Sequence, residues 1–128
     1  MLCLVNQLRT NRGLEPLATP PSLARAAGRK SADIIRCDEF SHEACGREVE
    51  YWPDRFDYGG CVGENIAYAT GRTATPRAIF RLWMSSRGHR ENILRSSYDD
   101  IGIGLQTGEI EGFTGAHVWT QQFGISDC

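Results

Sequence analysis

The sequence predicts an α+β domain with a small antiparallel sheet. Three observations carry that expectation. Two cap-plus-proline pairs, Thr19-Pro20 and Thr75-Pro76, stand ahead of amphipathic stretches in the first two thirds of the chain. Two apolar runs of strand character, Ile101-Gly102-Ile103-Gly104-Leu105 and residues 118–123, come near the end. The helices precede the strands and do not alternate with them, which argues against a parallel βαβ unit.

The elements follow in order. Residues 2–12 place Leu4, Val5 and Leu8 on one helical face, and Gly13 is suited to stop that helix. Thr19 is expected to cap a second helix, with Pro20 as its first residue and its end near Arg36. Within it Leu23, Ala27 and Ile34 share a face flanked by Ala26 and Ile35, while Arg25, Arg29 and Asp33 share another. The short Pro-rich link predicts that these two helices form an antiparallel pair. Residues 38–62 are irregular and aromatic, with Phe40, Tyr51, Trp52, Phe56 and Tyr58 ahead of Gly59-Gly60. A loop of that length in a compact domain is often functional. Thr75-Pro76 starts a third helix containing Ile79, Leu82 and Trp83, expected to end at Gly88. Residues 89–94 read as one short helical turn. Residues 66–69 add a third strand, and Gly108, Gly112 and Gly115 punctuate a hairpin between the last two. Gly102 and Gly104, inside a strand, mark close packing.

The chain has 128 residues, enough for one domain (1–128) with a hydrophobic core. A net charge of −2 with scattered basic residues argues against a nucleic-acid partner. No apolar run is long enough for a membrane span. Five cysteines, at 3, 37, 45, 61 and 128, include no Cys-x-x-Cys pair, so zinc-finger and thioredoxin readings fail on spacing. That cysteine content points to disulfides and an oxidising, secreted location. Met1-Leu2-Cys3-Leu4 runs straight into helix-like sequence, so a secretory leader is expected to lie outside this chain.

Four segments hold the chemistry: Phe40-Ser41-His42, Gly63-Glu64-Asn65-Ile66-Ala67, Ser86-Arg87-Gly88-His89-Arg90-Glu91-Asn92-Ile93-Leu94 and Val118-Trp119-Thr120-Gln121-Gln122-Phe123-Gly124. Two imidazoles and a carboxylate brought together make a divalent-cation site, and nitrogen ligands with an open position suit Zn²⁺. Two histidines alone bind weakly, and Glu64 is equally able to orient a histidine from behind. Without metal the same trio is equipped for general acid–base chemistry. Other motifs fail. There is no His-Glu-x-x-His and no Gly-x-Ser-x-Gly. His89-Arg90-Glu91 lacks the Pro-Cys-x-x-Cys of a zinc deaminase.

Together the four segments resemble the CAP superfamily of SCP-like extracellular domains, in its bacterial form, and the resemblance runs from Leu4-Val5-Asn6-Gln7-Leu8-Arg9 to Phe123-Gly124. It implies an α-β-α sandwich with a small antiparallel sheet between helices. It also implies a central cleft bearing a tetrad of two histidines and two acids. By that resemblance His42 is the first histidine, Glu64 the first acid and His89 the second histidine. The second acid, three residues after the helix tryptophan, is Ser86 here, after Trp83. Glu91 is nearby but does not match that position and is expected to be structural.

Three functions stay open at this level. The first is a secreted binding module whose cleft takes a metal at His42 and His89, or a small-molecule, lipid or protein ligand, with the aromatic loop at its rim. The second is a metal-assisted hydrolase, peptidase-like, with Glu64 as base and His42, Glu64 and His89 as its catalytic residues. The third is a structural or interaction domain with a vestigial site. An antiparallel helix pair and a shared His42/Glu64 site suggest disulfides Cys3–Cys37 and Cys45–Cys61, with Cys128 left over. The rival is a local Cys37–Cys45 bridge.

Overall fold

The structure, a computed structural model, describes all residues 1–128. Its elements in chain order are α1 (Leu2–Asn11), α2 (Pro21–Arg36), α3 (Tyr51–Arg55), β1 (Cys61–Ala69), α4 (Pro76–Met84), α5 (Arg87–Leu94), β2 (Asp100–Ile110) and β3 (Phe113–Ile125). The strands form one antiparallel sheet in the order β1-β3-β2, so β1 and β2 are its edges. The β2–β3 hairpin turns at Glu111 and Gly112, whose φ values of 51° and 84° are those of a two-residue turn matched to strand twist. An irregularity in register falls between Gly108 and Ile110.

The sheet is covered on both faces, and side-chain alternation along β3 shows how. Trp119 and Phe123 join Val5, Ile79, Trp83, Ile93 and Ile101 in the larger core, beneath α1, α4 and α5. Ala116 and Val118 join Ile34, Ala44 and Ile66 in a second core, beneath α2. Thr120 belongs to the same face, where its hydroxyl bonds that of Ser31 on α2 at 2.8 Å. The three layers are an α-β-α sandwich, as expected.

Several expectations need correction. α1 and α2 are not an antiparallel pair, because α1 packs against α4 and α5 while α2 lies on β2 and β3. The linking segment forms a bridge to the sheet edge at Ala18 and Asp100 in place of a tight turn. α2 starts at Pro21, one residue late, with Pro20 in the cap position and no side-chain cap. Thr75, by contrast, caps α4 as anticipated and accepts a bond from the Ala78 backbone N–H. Gly88 does not end the third helix; the chain breaks at Ser85 and Ser86, and Gly88 lies inside the eight-residue α5. The third strand is longer than residues 66–69. Gly102 and Gly104 do mark close packing: a Cβ at Gly102 would stand 2.1 Å from the Leu23 carbonyl oxygen, and one at Gly104 2.3 Å from that of Ala27.

The disulfides are Cys37–Cys45 and Cys61–Cys128, with Cys3 free and exposed. The suggested Cys3–Cys37 and Cys45–Cys61 pairs are therefore wrong, and the local rival is right. With α1 and α2 in different layers, Cys3 does not face Cys37. A tight turn at Ala44–Gly46 brings Cys45 back to the end of α2. The second bridge follows from strand register: Cys61 pairs with Ile125 across the sheet, so Cys128 lies just beyond it.

Candidate functional site

Neighbouring residues on an edge strand point into opposite layers. On β1 this puts Glu64 on the α2 side and Asn65 on the α5 side, and each holds one histidine segment in place. Glu64 has a side chain only 1% exposed, and its Oε1 lies 2.8 Å from His42 Nδ1. Its Oε2 accepts a bond from Gln122 Nε2 at 3.0 Å. Asn65 Nδ2 donates to the His89 carbonyl oxygen and to Gln121 Oε1, both at 3.1 Å. Asn92 of α5 donates to Asn65 Oδ1 at 2.8 Å and to the Glu64 carbonyl at 3.2 Å. The Glu-Asn pair is thus a two-sided clamp. It brings the predicted trio together across the sheet edge, His42 from the loop and His89 from α5.

The loop itself is anchored from α2. Lys30 is fully buried, and its Nζ donates to the carbonyl oxygens of His42 and Arg47. Asp33, placed by sequence on a charged outer face, is also buried. It bonds Arg36 on its own helix, and its bonds to Arg47 and the Trp52 Nε1–H tie the middle of the loop to α2. Charges on a helix ordinarily read as solvated. Here they face a long polar segment folded over them, so only the length of that segment hinted at their role.

An open cleft of about 690 Å³ lies between the His42 loop, β1 and the α4–α5 junction. Its apolar wall includes Phe40, Ile66, Tyr68 and Leu82, and its polar groups include Glu43, Ser86, His42 and His89. Trp83 is its buried floor, held by a bond from Nε1–H to the Ile66 carbonyl at 3.1 Å. Of the loop aromatics only Phe40 reaches the cleft. Trp52 and Phe56 stack on one another and lie under arginines of α2, and Tyr58 bonds Asp100. Glu43 was missed as a second cleft carboxylate; adjacency to His42 was its only signal. Glu91 points elsewhere, in an exposed ion pair with Arg87 at 2.8 Å. Ser86 stands at the start of α5, and its side chain makes no cap bond.

The two histidines differ electrostatically. The bond to Glu64 raises the His42 pKa above the usual histidine value, against the opposing effects of partial burial and the Lys30 charge. Burial lowers that of His89, and the nearby His42 lowers it further. His89 Nδ1 is buried without a partner. Near neutrality His89 is therefore the neutral imidazole. With Nδ1 of His42 taken by Glu64, its Nε2 is the nitrogen left for a ligand. No three His, Cys, Asp or Glu side chains converge as a ready metal cage.

A family model described as the cysteine-rich secretory protein family matches residues 2–123. The chain belongs to the CAP family. This CAP domain is 33% identical over 123 residues to YkwD of Bacillus subtilis (strain 168), covering 94% of the chain and 44% of that protein. It spans less than half the length of the Bacillus subtilis relatives it matches. Among solved structures it is similar to an extracellular protein containing an SCP domain from Bacillus anthracis str. Ames. That match has 27% identity and a TM-score of 0.79, covering 94% of this chain and 37% of the other. An outer surface protein from Borrelia burgdorferi shares the fold, with a TM-score of 0.82 at 16% identity, over 96% of this chain and 87% of its own. No helix of the CAP domain is long and apolar enough to cross a membrane.

Proposed function

We propose that this CAP domain is a secreted binding module whose cleft holds a divalent cation, zinc in the first instance, and with it a small or lipid-like ligand. One observation carries the reading. A buried carboxylate occupies Nδ1 of His42 and orients its ring, while His89, whose Nδ1 is buried and unpartnered, lines the same cleft. Metal-ligating histidines usually have their other ring nitrogen bonded to such a carboxylate or to a carbonyl. His42 and His89 are the residues that would hold the ion, and the remaining positions would be open to water or ligand. Such a site suits weak, exchangeable binding better than a closed structural centre, which takes four protein ligands. The apolar wall of Phe40, Ile66, Tyr68 and Leu82 suits the hydrocarbon part of a ligand.

The arrangement favours binding over metal-assisted hydrolysis with Glu64 as base. Both Glu64 oxygens are already bonded, and its side chain is closed to solvent. Secretion is supported by the two disulfides and by the extracellular relative.

Calorimetric titration with Zn²⁺ near pH 7.5 tests the metal site. One-to-one binding is expected in the wild type and lost in His42→Ala and in His89→Ala. Glu64→Gln is expected to weaken it by about 10–100-fold, the range seen when such supporting groups are removed. Absence of binding, or binding indifferent to both histidines, would overturn the metal reading.

A further inference from the structure

We propose that the outer face of α2 carries a second site, for a phosphate-class dianion, between Arg25 and Arg29. The two residues are four apart and share one helix face. Neither makes an ion pair within the chain, whereas Arg36 and Arg47 both bond Asp33 and Arg87 pairs with Glu91. Their charges are nevertheless held in place. The Arg25 guanidinium carbon lies 4.3 Å from the Phe56 ring centre, and that of Arg29 5.6 Å from the Trp52 ring centre. Those two rings are themselves stacked, 5.8 Å apart at an interplanar angle of 17°. Guanidiniums laid on aromatic faces have already given up much of their side-chain freedom, so less is lost when an anion arrives.

Between the arginines lies a depression of about 290 Å³, which Gly28 and the Gln106 side chain of β2 also line. Gly28 is the informative residue. It sits in the middle of a sixteen-residue helix, where glycine is unfavourable. A Cβ there would meet no atom within 4 Å, so packing does not demand its absence. The missing side chain keeps the depression open. Two neighbouring fork-shaped donors match the oxygens and double charge of a phosphate group, with the Gln106 amide as an additional donor. The site shares no lining residue with the His42 cleft and does not depend on what that cleft binds.

The test is titration at fixed ionic strength with inorganic phosphate, followed by amide NMR. A second arm measures sedimentation with phosphatidylcholine vesicles containing phosphatidic acid, which presents the same group as a lipid head. Arg29→Gln removes one donor. Gly28→Leu fills the depression while keeping both charges; a Cβ there meets no atom within 4 Å, and the same amide spectra show whether the fold is kept. Saturable binding in either arm, weakened at least about tenfold in both variants, is the expected result and names the source of the phosphate. Binding that Gly28→Leu leaves intact is general charge attraction and overturns the proposal. Absence of saturable binding in both arms overturns it equally.

Discussion

Glu64 sets the character of His42, whereas burial is the main influence on His89. The bond to Glu64 raises the His42 pKa, and the neighbouring His42 adds to burial in lowering that of His89. An NMR titration of the ring protons is therefore expected to place His42 above and His89 below the ordinary value of about 6.5. In Glu64→Gln the His42 midpoint should fall back toward that value. Equal His42 midpoints in the two proteins would show that Glu64 is not the cause. At this scale much of the candidate site was legible, because His42, Glu64 and His89 sit in segments that stand out in the sequence. Lys30 and Asp33 were not. A charged residue on an amphipathic helix is buried only when something polar folds over it, and that partner is a loop whose path no periodicity encodes.

Among the elements, α2 packs its backbone directly on the glycines of β2. Gly102 meets the α2 backbone directly, so Gly102→Ala forces the two apart or strains them, at a cost of roughly 1–3 kcal/mol in urea denaturation. Stability equal to the wild type would mean that the contact is looser than described. The two disulfides offer a second comparison. In the chain-entropy picture a bridge restricts the unfolded chain more as its loop lengthens. Serine replacement of Cys61 and Cys128, which are 67 residues apart, should therefore destabilise more than replacement of Cys37 and Cys45, which are 8 apart. The expected difference is about 1–2 kcal/mol, readable from the same denaturation curves. The cap of α4, the hairpin and the two packing glycines were readable because each depends on nearby residues. The partner of α1, the reach of α5 past Gly88 and the cysteine pairs were not. Each is set by which layer a segment joins, and that is decided by contacts far along the chain.

Over the whole molecule, the two histidines give stability opposite slopes with pH. The raised folded pKa of His42 supplies stabilisation that is complete below the unfolded value and lost as pH rises through the folded one. The lowered pKa of His89 does the reverse: its neutral form is favoured above the unfolded value, and that support fades as pH falls toward the folded one. Urea denaturation from about pH 5 to pH 8 should show the wild type's margin over His42→Ala shrinking as pH rises. Its margin over His89→Ala should shrink as pH falls. Parallel curves would mean that neither histidine is coupled to folding. The three-layer architecture was foreseeable from the order of helices and strands together with the family resemblance. The placing of the cleft at a sheet edge was not, because strand order is invisible in the sequence.

The Cys37–Cys45 bridge has one more consequence. It makes a small covalent ring of the segment that presents Phe40, Ser41 and His42 to the cleft. Much of that segment is exposed, the kind of place where extracellular proteases cut. A single cut between Asp38 and Ala44 would add one water to the mass yet leave both new ends joined through sulfur. The histidine would stay tethered beside Glu64, and two fragments would separate only after reduction. The ring makes the first nick survivable.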